Sequence, residues 1–241
     1  MNHTPSLLHL DATAGPNGPS VSRQLTSLFA DTWREQHGTA GYRYRDLAAD
    51  PVPLLGPGFV TLGRRLAEQG TVPPAEVAAQ AQDASEQQEW ALTLPLVEEV
   101  LAADTLLLGV PMYNFTVPAA LKAWIERISF PGAYTAPRTG EHLLRDTRVV
   151  IATARGGGYG PGTPREPFDH QAPYLRMYFG DLGIREENLY FVHAELTRAA
   201  AMPDLARFTD LATDSLTAAR DQLLSLATAT ATPRRPATAL A

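Results

Sequence analysis

From Thr105 to Val110 the chain reads Thr-Leu-Leu-Leu-Gly-Val, with no charged side chain and no alternation between apolar and polar positions. A strand with one wet face alternates, so this run predicts a strand buried on both faces, as in the middle of a parallel sheet. Such a sheet needs helices on both sides, which narrows the fold to α/β layers. Arg148-Val149-Val150-Ile151-Ala152-Thr153 repeats the pattern, and shorter apolar runs stand at Leu7–Leu10 and Asn188–His193. Tyr42-Arg43-Tyr44-Arg45 alternates and is expected as a fifth, more exposed strand.

Between these runs the spacing turns helical. Val21, Leu25, Leu28, Phe29 and Trp33 recur on one face until Gly38, and Pro118 introduces Leu121, Trp124, Ile125 and Ile128. A helix is expected over 74–103, with Trp90, Leu94, Val97 and Leu101 as its stripe and Pro95 kinking or interrupting it. Further helices are expected around 168–182 and 205–223. The glycines and prolines of 57–74 suggest an irregular excursion able to serve as a lid, and 129–146 reads as an irregular or hairpin insertion. The expectation is one domain over 1–226, with the Ala/Thr/Pro-rich 227–241 as a disordered tail.

What is missing excludes several chemistries. The chain has no cysteine, hence no disulfide, thiolate metal site or cysteine nucleophile. Lys122 is the only lysine and follows no glycine-rich loop, which removes the P-loop, and no G-x-S-x-G elbow exists for a hydrolase. The six histidines show no metal-ligand spacing, so no metal is expected, and His193 near Glu195 reads as an edge-strand residue. Glu98 and Glu99 read as a solvated helix face. The net charge of −6 with scattered basic residues argues against nucleic acid. With no targeting signal or membrane-length apolar run, the expected location is the cytoplasm.

Ligands of open parallel sheets sit beyond the carboxyl ends of the strands, where strand order reverses. Three loops there are unusual. The first, 11–20, delivers Ser20-Val21-Ser22 to a helix start, where free N–H groups and two hydroxyls suit a phosphate, although a serine there could simply cap the helix. The second holds Met112, Tyr113, Asn114 and Phe115, able to contact a flat heterocycle or to plug the core. The third, Ala154-Arg155-Gly156-Gly157-Gly158, allows close backbone approach and supplies a cation, or is a flexible turn with a solvated arginine. Together they describe a mononucleotide with a planar ring system, held as FMN is held in a flavodoxin-like sheet of order 2-1-3-4-5, a three-layer sandwich.

Pro111-Met112-Tyr113-Asn114-Phe115 and Ala154-Arg155-Gly156-Gly157 resemble the FMN-dependent NADH azoreductase and NAD(P)H:quinone oxidoreductase family, with support from Asp46-Leu47-Ala48 and Pro173-Tyr174-Leu175. The resemblance spans residues 6 to 226. It implies a phosphate site at Thr13, Ser20, Val21 and Ser22, and ring-binding segments at Met112–Phe115 and Ala154–Gly157. It also implies substrate-lining aromatics at Tyr134 and Tyr178, and a homodimer. The implied reaction is ping-pong: FMN takes a hydride from NADH or NADPH and passes two electrons to a quinone or azo-type acceptor. Arg155 is expected to stabilise negative charge on the reduced ring.

The chain departs from the family pattern at Thr13-Ala14-Gly15-Pro16, at Ile128–Ala133 and in the longer third loop through Gly162-Thr163-Pro164. These departures predict retained FMN binding with a displaced acceptor preference. Two other readings stay open: a specialised flavin reductase acting on a biosynthetic aromatic intermediate, and a non-catalytic flavodoxin-like electron carrier.

Overall fold

The computed structural model describes residues 4–15 and 20–229. Five strands form one parallel sheet: β1 (Leu7–Asp11), β2 (Tyr42–Asp46), β3 (Thr105–Pro111), β4 (Arg148–Ala154) and β5 (Leu189–Ala194). Their order across the sheet is β2-β1-β3-β4-β5, as expected from the sequence. Register runs Leu7↔Tyr42 and Leu7↔Thr105 on the two sides of β1, so β1 ends at Asp11 opposite Gly109 while β3 runs on to Pro111. The order reverses between β1 and β3, and the crevice of such a sheet opens above that point.

Side-chain parity assigns the two faces. Leu8, Leu10, Leu106, Leu108, Val149 and Ile151 face one core, while Leu7, Leu107, Val150, Ala152 and Val192 face the other. Helices α1 (Val21–His37) and, at the far end of the chain, α7 (Thr209–Thr228) cover the second face with Leu25, Phe29, Trp33, Ala219 and Leu223. The first face is covered by α2 (Pro57–Gln69), α4 (Ala84–Ala102), α5 (Ala119–Ile128) and α6 (Ala172–Asp181); a single turn, α3 (Pro74–Val77), precedes α4. Full burial of side chains such as Phe29 and Trp124 contributes about 1.5–3 kcal/mol each.

The structure corrects the sequence reading in three places. Residues 57–69 are a regular helix rather than an excursion, with Phe59, Leu62 and Leu66 in the core. Pro57 stands at the helix start, where a missing N–H costs nothing. Gly58 lets α2 meet α4, since a Cβ there would lie 2.7 Å from the Ser85 carbonyl carbon. Helix α4 runs through Pro95 without a break, and its buried stripe is Trp90, Thr93, Leu96, Val97 and Val100, which leaves Leu94 and Leu101 half-buried. The tail begins later than expected: Ala227 is buried at the end of α7, and 230–241 lie outside the described residues.

Segment 129–146 is a set of turns closed by one Thr135–His142 bridge. Glu99 is paired by Arg45 at 2.8 Å, so only Glu98 of that acidic pair is a free face. No helix among the described residues is long and apolar enough to cross a membrane.

Candidate active site

Strand β1 ends in a buried carboxylate. Asp11 accepts from the Thr26 hydroxyl at 2.9 Å and the Tyr44 hydroxyl at 3.0 Å, and His9 Nε2 lies 3.5 Å away. Burial alone would raise its pKa, but bonding to His9, Thr26 and Tyr44 outweighs burial and holds it below the ordinary carboxylate value. Arg23, in the first turn of α1, bridges Asp46 at 2.9 Å and Asp11 at 3.6 Å. This network fixes the start of α1 against the strand ends. Gly109 is its counterpart on β3, for a Cβ there would stand 2.2 Å from Asp11 Oδ1.

The first loop leaves this point through Thr13, whose buried hydroxyl accepts the Gly15 N–H at 3.2 Å. Pro16 to Pro19 of this loop lie outside the described residues. Ser20 occupies the cap position of α1 without a side-chain capping bond; its hydroxyl instead lies 3.3 Å from that of Ser22. The simple capping reading therefore fails, and two hydroxyls with Val21 between them stand at the positive end of a 17-residue helix.

The second loop is a tight hairpin. Tyr113 N–H donates to the Thr116 carbonyl at 3.0 Å, and Thr116 N–H returns a bond at 3.1 Å. Asn114 and Phe115 between them have φ of 47° and 70°, the left-handed geometry a two-residue hairpin of this hand requires. For phenylalanine that geometry is strained. The core-plug reading is excluded, because Tyr113 and Phe115 are 37% and 47% exposed. Tyr113 also ties the hairpin to the first loop: its hydroxyl accepts the Ala14 N–H at 3.3 Å and lies 3.5 Å from Thr13 Oγ1.

Relief of that strain is testable. Phe115→Gly is expected to raise stability by about 1 kcal/mol, the usual cost of a left-handed non-glycine residue, while losing the aromatic surface offered to a ligand. Thermal unfolding would show a raised Tm, and a lowered one would mean that Phe115 packs more than it strains.

The third loop is held by charge. Arg155 follows β4, and its guanidinium is buried, paired with Asp169 at 3.0 Å and Glu195 at 3.3 Å, with Nε donating to Gln171. Glu195 also accepts the Tyr159 and Gly160 N–H groups at 2.9 and 3.3 Å. Two carboxylates draw the cation inward, and it anchors the loop. Gly156 lies against Arg198 and the buried Gly157 against Arg165, and a Cβ at Gly156 would lie 2.8 Å from Arg198 Cδ.

His193 is confirmed as an edge-strand residue, bonded through Nδ1 to Thr153 Oγ1 at 2.8 Å. Burial first, then the charge of Arg155, push its pKa down to about 4. The native state therefore keeps it neutral while the unfolded chain protonates it near 6.5. Stability attributable to His193 is intact above that pH and is lost as pH falls towards 4, by up to about 1.4 kcal/mol per pH unit. His193→Gln is expected to flatten the fall over that window in urea titrations, and an unchanged slope would count against it.

The second and third loops meet across a cleft of about 490 Å³, lined by Met112 to Phe115, Gly156, Gly157, Tyr159 and Arg198. The Ala154 carbonyl accepts the Met112 N–H at 2.9 Å and ties the ends of β4 and β3 together. Thr13 and Ala14 of the first loop are linked to the cleft through the Tyr113 hydroxyl. Tyr134 and Tyr178 do not join the cleft. Both belong to the core over the first sheet face, Tyr178 sharing its hydroxyl with Ser129 at 3.0 Å. Burial raises the pKa of both. On the far side of the hairpin Tyr174, with Val117 and Lys122, lines a second hollow of about 480 Å³.

Sequence reasoning missed Asp11, Glu195, Asp169 and Arg198 as site-forming residues. A lone arginine at a strand end inside a glycine run was the available signal, since a buried cation needs carboxylates.

Comparison with known proteins agrees with the fold. A family model described as a flavodoxin-like fold matches residues 5–212. The chain belongs to that family. This flavodoxin-like protein is 41% identical over 203 residues to an FMN-dependent NADH:quinone oxidoreductase of Nocardia farcinica, covering 84% of this chain and 88% of the relative. A protein of the same name from Nostoc is 36% identical over 194 residues, covering 79% and 86%. Among solved structures, an azoreductase of Bacillus anthracis superposes with a TM-score of 0.74 at 21% identity, covering 92% of this chain and 98% of that one. An FMN-dependent NADH-azoreductase of the same species in complex with FMN gives 0.71 at 22% identity, covering 95% and 100%. At that identity the likeness establishes the shared fold.

Proposed function

We propose that this flavodoxin-like protein is an FMN-dependent oxidoreductase that moves two electrons from NADH to a quinone: NADH, a proton and quinone give NAD⁺ and hydroquinone. The observation that carries the reading is the cleft where the strained Tyr113–Thr116 hairpin faces the glycines of the third loop; the start of α1 adds the paired hydroxyls of Ser20 and Ser22. That donor set fits FMN. Ser20, Val21 and Ser22 would hold its phosphate, with Thr13 beside them; Met112 to Phe115 and Ala154 to Gly157 would hold its ring.

When bound, FMN supplies the hydride acceptor and donor, so no side chain has to act as a nucleophile. The protein's share is placement. The hairpin aromatics offer a flat wall, and the N–H groups near Gly156 and Gly157 offer donors for negative charge at the ring edge. Arg155 keeps those N–H groups in position from behind. With one open cleft, reductant and acceptor would use the same face in turn, the ping-pong order; azo compounds are acceptors of similar flat shape. Tyr134 and Tyr178 are poor proton donors, since burial disfavours their ionised forms, and water reaching the cleft is the better source.

The deciding experiment is an absorption spectrum of the protein supplied with FMN, followed anaerobically by NADH and then by a quinone. Bleaching by NADH and recovery with quinone is the expected result. Bound FMN that stays oxidised with NADH and NADPH would leave an electron carrier, and no FMN binding would remove the site.

A homodimer belongs to the same proposal. A concentration-independent monomer mass by light scattering would remove it.

A further inference from the structure

Adjoining the cleft is another hollow of about 370 Å³, and Gly157, Arg165 and Leu205 line both. Leu196, Phe208 and Leu211 form its other main wall, and Gly158, Thr163 and Pro164 close the side made by the third loop. None of Leu196, Leu205, Phe208 and Leu211 belongs to either core of the sheet. Leu211 is 57% exposed. Large apolar side chains gathered around a cavity outside the core mark a binding surface more often than a packing accident.

The hollow is built, not left over. The third loop is bent around it by bonds from the Thr163 hydroxyl to the Gly158 and Gly160 carbonyls at 3.2 and 2.8 Å, and from the Gly162 N–H to Glu166 at 2.6 Å. The opposite wall is the 3₁₀ turn Pro203–Phe208 that leads into α7. Between them Leu196 sits at φ 57°, a strained conformation for leucine, with its N–H bonded to the Gly157 carbonyl at 3.1 Å. The lining contains no carboxylate, and the Arg207 guanidinium already lies over the Phe208 ring at 4.8 Å. A ligand group entering here meets mainly apolar surface and glycine backbone, with Arg165 on the wall shared with the cleft.

We infer that this hollow receives the uncharged alkyl or prenyl arm of an acceptor whose ring is reduced in the adjoining cleft. The inference rests on the quinone reductase reading and adds the substrate class: quinones with an apolar side arm are preferred over the bare ring. The long third loop, one of the chain's departures from the family pattern, is then a specificity element. Each methylene moved from water onto such a wall multiplies affinity by about fourfold, so a short arm suffices for a large preference.

The test compares two naphthoquinones with the same ring, one bearing a methyl group only and one adding a short prenyl chain, as acceptors for the FMN-loaded protein at saturating NADH. The expected kcat/KM for the prenylated quinone is higher by about tenfold or more, chiefly through KM. Leu211→Asp and Phe208→Ala, both outside the cores, are each expected to remove most of that ratio. Equal kcat/KM for the two quinones overturns the inference while leaving the reductase reading in place; reduction of neither removes both. A ratio that survives both substitutions also overturns it, as does a rise in the KM for NADH in place of that for the prenylated quinone, which would give the hollow to the reductant.

Discussion

Arg127→Met is expected to lower stability by about 3–5 kcal/mol, the usual cost of breaking a buried ion pair from one side. For a domain of this size that is a fall in Tm of roughly 10 °C or more. Arg127 is fully buried on α5, and its guanidinium donates to the Pro53 and Leu54 carbonyls at 2.9 and 2.8 Å and to Glu89 on α4. One side chain thus joins the loop after β2 to two helices of the first layer. Methionine fills the space but leaves Glu89 and two carbonyls without their donor. Removing the carboxylate as well, in Arg127→Met/Glu89→Leu, is expected to recover part of the loss, because an apolar pair no longer strands a charge. Thermal unfolding by circular dichroism reads both variants. A fall of less than about 3 °C in the single variant, under 1 kcal/mol at this size, would mean that water reaches the site.

The sheet was legible in the sequence because its signal is local and redundant. Thr105–Val110 and Arg148–Thr153 have no wet face, and the two parity classes of Leu106/Leu108 and Leu107 then fill two cores. Helix α2 was misread because glycine and proline were counted as breakers; Pro57 is at a helix start, and Gly58 is a contact with α4. In the site, residue types were legible and orientation was not. Tyr134 and Tyr178 sit where the family resemblance placed substrate-lining aromatics, yet this chain packs both into the core. Asn114 tolerates a left-handed backbone, but nothing local announces that Phe115 beside it does too. The partners of Arg155 lie 14 and 40 residues further on, at Asp169 and Glu195, so its inward turn depends on tertiary contacts that no local pattern encodes.

That inward turn separates two roles for Arg155 that predict different measurements. If its charge acted directly on bound flavin, Arg155→Lys would preserve most of the effect, since a cation remains. As an anchor, Arg155 uses the spread of its guanidinium to reach Asp169, Glu195 and Gln171 at once, which a lysine cannot do. Arg155→Met and Arg155→Lys are therefore both expected to loosen the third loop, the former costing about 3–5 kcal/mol by stranding two carboxylates. FMN affinity is expected to fall at least about tenfold in each, equivalent to 1.4 kcal/mol, because the Gly156 and Gly157 N–H groups lose their fixed position. Equilibrium dialysis of FMN with both variants, beside urea unfolding, reads the two effects separately. Full affinity in Arg155→Lys with a loss in Arg155→Met would restore the direct electrostatic role. Loss in both places the arginine behind the loop, where its carboxylate partners already hold it.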